Sequence, residues 1–89
     1  MLGYREYVLY PLLLTALLTG SRMALRSFRD ALDKNPNDAE IRTNFGVALV
    51  TVGRYDEAIA EYERTLAIAP GYSPALRNLS RIVLFRIDE

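Results

Sequence analysis

The residues best suited to chemistry are carboxylates. Glu57, Glu61 and Glu63 lie within one short stretch, and Asp30, Asp33 and Asp38 lie upstream of it. A pair of carboxylates on one helical face can serve as general acid and base, or share a metal ion. Glu57 and Glu61 are four residues apart and so share a face. Carboxylates four apart on a helix are usually a solvated surface, and the pattern reads as one. Glu61 and Arg64 are placed to pair across three residues. The three aspartates lack the spacing of a calcium loop. The sequence holds 0 His and 0 Cys, which removes the commonest general base, the thiol nucleophile and the usual zinc ligands. Its 5 Gly fall singly and build no phosphate-cradling loop. Neither an enzyme activity nor a cofactor is expected.

Composition narrows the partners. The 11 Lys and Arg balance 11 Asp and Glu, so there is no basic field for nucleic acid. Lys34 is the single lysine; the other basic residues are arginines, which suit bidentate contacts with carboxylates or lipid phosphates and also follow from genome base composition. At 89 residues and 51% hydrophobic, the chain has one small core to build and apolar surface to spare.

The elements that carry these side chains repeat. Ala24-Leu25, Phe28, Leu32 and Pro36 recur as Ala58-Ile59, Tyr62, Leu66 and Pro70, each 34 residues on. A fixed period of this size signals stacked supersecondary units. The most complete copy runs from Ala39 to Tyr72. Within it, Phe45 and Leu49, then Ile59, Tyr62 and Leu66, are spaced by three or four, giving one apolar stripe on each of two helices. Gly53 supplies a left-handed residue to end the first helix. Asp56 and Glu57 suit the first turn of the second. Pro70 stops it. Gly46 and Ala58 are small enough to let the two helices approach closely.

The run Arg42-x-x-Phe45-Gly46-x-x-Leu49, followed by Gly53-Arg54-Tyr55-Asp56-Glu57-Ala58, Tyr62 and Pro70, resembles a tetratricopeptide repeat. Arg42 stands where that pattern has a large aromatic, Leu49 where it has Tyr, and Thr65 where it has a small Ala. The resemblance covers about residues 21–87 and implies an all-α fold, a short stack of helix–turn–helix repeats. Residues 21–38 form a partial repeat with Ser21 as helix cap, 39–72 a full repeat, and 73–87 a capping helix with Ser73 as cap and Pro74 at its first position. It further implies protein-binding work in a concave groove. The implied groove positions are Glu40, Thr43, Val47, Val50 and Thr51, joined by Pro74, Arg77, Arg81, Leu84 and Phe85. Some members of that family clamp a C-terminal carboxylate with basic and amide side chains, a role open in part to Arg77 and Arg81. Their other reading is a solvated helix face. Leu76, Leu79, Ile82, Val83, Leu84, Phe85 and Ile87 give the last helix apolar residues on more than one side, so part of it is expected to contact another protein.

Residues 1–20 depart from the repeat. Tyr7–Leu18 is almost wholly apolar, which demands burial on all sides. Such a segment can shield the open end of the stack, anchor the chain in a membrane or membrane assembly, or act as a secretory signal. It is shorter than the roughly 20 residues of a simple span. Leu9, Leu13 and Leu17 are its partner-facing residues by register, and residues 4–18 are the stretch expected to touch a membrane. Arg22, Arg26 and Arg29 follow the run while Arg5 alone precedes it, favouring a cytoplasmic repeat domain if it spans. The expectation is a non-catalytic scaffold or accessory subunit of a membrane-associated complex; the alternative is a soluble cytoplasmic adaptor that captures a peptide tail.

Overall fold

The structure is a computed structural model that describes residues 21–87. Four helices follow one another among the described residues, with no strand between them: α1 (21–34), α2 (Ala39–Thr51), α3 (Tyr55–Ile68) and α4 (Ser73–Ile87). The apolar N-terminal helix, its contact residues Leu9, Leu13 and Leu17, and the membrane contact at 4–18 all lie outside the described residues. Among the described residues no helix is long and apolar enough to cross a membrane.

Each helix boundary has a local cause. The Asp38 carboxylate accepts the Ile41 N–H at 2.9 Å and caps α2. At the far end of α2, Gly53 adopts φ 81°, its N–H donates to Val50 O at 2.9 Å, and the Arg54 N–H returns to Leu49 O at 2.9 Å. A side chain at that φ would be strained, so glycine is required there. Asp56 and Glu57 occupy the first turn of α3 as expected, and Glu57 takes two hydrogen bonds from Arg54, at 2.7 and 2.6 Å. This exposed pair holds the Glu57 carboxyl below its ordinary range, chiefly through those hydrogen bonds. α3 ends at Ile68, just ahead of Pro70.

Two caps fall elsewhere than the sequence suggests. Residue 21, the first described residue, is helical, so Ser21 belongs to α1 and is not its cap. Ser73 is the first residue of α4 and Pro74 the second, with the Leu76 N–H bonded to Tyr72 O at 3.2 Å. Pro74 is tolerated there because the first four N–H groups of a helix have no intrahelical acceptor.

The core is the repeat's own stripe. Leu25 and Leu32 of α1, Phe45 and Leu49 of α2, Ala58 and Tyr62 of α3, and Ala75 and Ile82 of α4 form a single buried cluster. α1 meets α2 through Phe28 and Phe45, whose ring centroids are 6.2 Å apart. Thr65, at 0% exposure, satisfies its hydroxyl on Glu61 O at 3.0 Å, so a residue larger and more polar than Ala is accommodated. α2 and α3 approach closely at Gly46. A Cβ there would lie 2.4 Å from Tyr62 Cε1, with two more ring atoms within 2.9 Å. Alanine would gain about 1 kcal/mol of helix propensity over glycine. The ring is buried, and overpacking costs about 1–3 kcal/mol. Gly46→Ala is therefore expected to lower the urea midpoint, and a raised midpoint would refute the close approach.

Glu61 corrects the reading of the acidic cluster. Glu57 is indeed exposed, but Glu61 is only 7% exposed. Arg42 Nη1 donates to Glu61 Oε2 at 2.6 Å across nineteen residues of sequence, and Arg64 donates to Oε1 on the same carboxylate. Arg42 also donates through Nη2 to Pro36 O at 2.7 Å. The residue that breaks the aromatic pattern is thus an inward-facing tie between α2, α3 and the preceding turn. No single helix's periodicity could show this.

Candidate functional site

α2 and α4 correspond to one another at the 34-residue offset, and both lean on α3. Between them opens a pocket of about 90 Å³ lined by Val47, Val50, Tyr62, Asn78, Arg81 and Ile82. Its floor is the top of the core, since Tyr62 and Ile82 are buried. The half-exposed Val47 and the partly buried Val50 form the wall on α2. Arg81 and Asn78 form the polar rim on α4. Burial raises the Tyr62 phenol above its ordinary value, and the neighbouring Arg81 guanidinium opposes that rise. A cation therefore stands close to an apolar cavity with room for one small aliphatic side chain.

Arg77 lies one turn before Arg81, exposed, with its Nη2 donating to Ser73 Oγ at 3.4 Å. Leu84 and Phe85, 64% and 70% exposed, extend the apolar surface towards the end of α4. The structure thus brings Val47, Val50 and Arg81 together, and sets Arg77, Leu84 and Phe85 along the same helix. Glu40 is exposed in the first turn of α2, away from the pocket. Thr43 is a correction. It is 3% exposed and its hydroxyl is buried without a hydrogen-bond partner, so it offers no area to a ligand. Spacing puts it on the face of Val47 and Val50, but spacing carries no information about depth. Asn78, Tyr62 and Ile82 are the lining residues that sequence reasoning missed. Asn78 had a signal, because Asn78-Leu79-Ser80 sits in register with Asn44-Phe45-Gly46.

Among the described residues no group of His, Cys, Asp or Glu could hold a metal ion. The site offers shape, an apolar floor and positive charge, which suits recognition.

A family model described as tetratricopeptide repeat matches residues 23–82, more than half of the chain. The chain belongs to the tetratricopeptide repeat family. Tetratricopeptide repeats are a non-catalytic, protein–protein interaction fold, and proteins that carry them bind protein partners. The chain is similar to a peroxisomal targeting signal receptor of Kluyveromyces lactis, with 40% identity over 53 residues, which is 60% of this chain and 9% of the relative. It is also similar to a probable UDP-N-acetylglucosamine–peptide N-acetylglucosaminyltransferase SPINDLY of Solanum lycopersicum, with 34% identity over 62 residues, which is 70% of this chain and 7% of that protein. The chain spans less than a tenth of the length of either relative.

Proposed function

We propose that this tetratricopeptide repeat chain is an interaction module that holds an extended peptide between α2 and α4, as an accessory subunit of a larger assembly. The carrying observation is the pocket in which Val47 and Val50 face Arg81 over the buried Tyr62 ring. A small aliphatic side chain fills the pocket, and a carboxylate beside it meets Arg81 and Arg77. One relative is named as a receptor for a targeting signal, which supports a peptide as the ligand. Membrane association of the assembly rests on the apolar run 7–18 alone.

The test is a fluorescence-anisotropy screen of C-terminal peptides ending in a small aliphatic residue. Replacing both Arg77 and Arg81 with Ala is expected to weaken the best binder at least tenfold, since hydrogen bonds to charged groups contribute about 1.5–3 kcal/mol each. Val47→Glu is expected to abolish binding by filling the pocket with charge. Both variants replace exposed side chains, so their helical spectra should be unchanged. Equal binding by the wild type and both variants would sink the groove as the site.

A further inference from the structure

The outer side of α1 is charged, and its charges are sorted along the helix. Arg22, Arg26 and Arg29 are spaced by four and three, so they stand on one side. All three are exposed, and Met23 beside them is 67% exposed. The opposite side carries Leu25 and Leu32 into the core. Asp30, Asp33 and Lys34 continue the exposed side to the end of the helix. Apart from Met23 this side is polar throughout, unlike the apolar stripe of a helix that seats another helix. Its first half is purely cationic, since the sequence has no acidic residue between Glu6 and Asp30. Among the described residues the ion pairs join Arg42, Arg54 and Arg64 to Glu57 or Glu61, and Arg22 and Arg26 take part in none of them. Arg29 lies 5.9 Å from the centre of the Phe45 ring and within the field of Glu57, a carboxylate that Arg54 already pairs.

Such a stripe is complementary to an anionic surface, and the sequence beside it says which kind. A nucleic-acid site of ordinary strength engages about six to ten phosphates, and three arginines on a chain of zero net charge fall short of that. The almost wholly apolar run Tyr7–Leu18 ends just before Arg22. A basic cluster directly after an apolar run meets the anionic headgroups of the cytoplasmic leaflet, and the guanidinium fork pairs with their phosphate oxygens. Met23 adds an apolar side chain at the same level. Asp30 and Asp33 are repelled by that surface, so α1 meets it with its N-terminal half and leads the rest of the stack away from it. We propose that Arg22, Arg26 and Arg29 form a contact surface for anionic membrane lipid, a role that rests on the membrane association proposed above from the apolar run 7–18. The lipid's charge and the residues that read it are what this surface adds. Arg77 and Arg81 of the peptide groove belong to the last helix and take no part.

Co-flotation of the full chain with vesicles tests this. One set is phosphatidylcholine alone, and the other is equal parts phosphatidylcholine and phosphatidylglycerol. At low salt the wild type is expected to bind the anionic set about a hundredfold more tightly, since each arginine near such a surface strengthens binding roughly fivefold. Added salt should erode that preference. Replacing all three arginines with Gln should remove it and leave binding to the neutral set unchanged. Replacing them with Lys should keep most of it, and the Arg77 and Arg81 double alanine variant should keep it in full. If the triple Gln change unfolds α1, Arg22→Gln with Arg26→Gln retains Arg29 over the Phe45 ring and should still cost about twenty-fivefold. The proposal is overturned if the wild type binds both sets alike, which leaves the apolar run as the membrane contact. It is overturned as well if a Gln variant that keeps its helical spectrum also keeps the preference. Binding to neither set overturns it together with the membrane reading. Equal binding of a short single-stranded oligonucleotide, lost in the same Gln variants, would make the stripe a nucleic-acid site and overturn it too.

Discussion

Tyr62→Ala is expected to bring the protein to within about 2 kcal/mol of its unfolding midpoint at room temperature. Tyr62 is 1% exposed, fills the seat at Gly46, joins the core cluster and forms the floor of the pocket. Truncating a buried aromatic to Ala costs about 3–5 kcal/mol. A domain of this size has about 5 kcal/mol in total, so the loss should appear as ellipticity at 222 nm that falls at low urea. Tyr62→Phe keeps the ring and should melt within about 1.5 kcal/mol of the wild type. A near-native urea midpoint for the alanine variant would mean that the ring is not the keystone of the α2–α3 contact. The same ring gives an alkaline signature. Burial raises the folded phenol above its ordinary value of 10.0. Its contribution to stability is therefore fully present below the unfolded value and is lost as the pH rises through the higher folded one. Tyr62→Phe should remove that part of the alkaline destabilisation, which a series of urea melts between pH 9 and 11 would reveal.

The peptide groove depends on the same contact. Val47 and Val50 face Arg81 only because α2 and α4 both rest on α3, and α2 is held there by glycine against ring. Most of this was legible in the sequence. The period, the Gly53 turn, the stop at Pro70 and the small residue at Gly46 are local or periodic signals, and each appears in the structure where spacing puts it. The Asp38 cap was not legible, because Asn35, Asn37 and Asp38 compete at that turn, and the one-residue shift at Ser73 is set by backbone geometry that spacing does not carry. Glu61 was misread for a different cause. Its ion-pair partner Arg42 is nineteen residues away, so only packing reveals that one carboxylate of the acidic run points inward. Thr43 likewise shares a face with Val47 but not its exposure. Periodicity gives direction around a helix; depth depends on what lies across from it.

Breaking the Arg42–Glu61 pair from one side should cost far more than deleting it from both. The pair's side chains are 13% and 10% exposed, and Arg42 Nε is already buried without a partner. Glu61→Leu strips Arg42 of its carboxylate and leaves it with Pro36 O as its remaining hydrogen-bond partner. An uncompensated charge in such a place costs about 3 kcal/mol. Arg42→Leu is expected to cost less, because Glu61 keeps Arg64, which reaches it from the solvent side. The double variant should return to within about 1 kcal/mol of the wild type, since well-packed apolar residues commonly replace a buried ion pair without loss. Urea melts of the four proteins give the coupling energy directly. Strict additivity of the two single changes would show that the pair is not coupled. The chain already contains the apolar alternative, for Leu76 occupies on α4 the position Arg42 occupies on α2. Arg42 meets the carboxylate of Glu61, and Leu76 has no donor to offer one, so the same register that is ionic on α2 is apolar on α4.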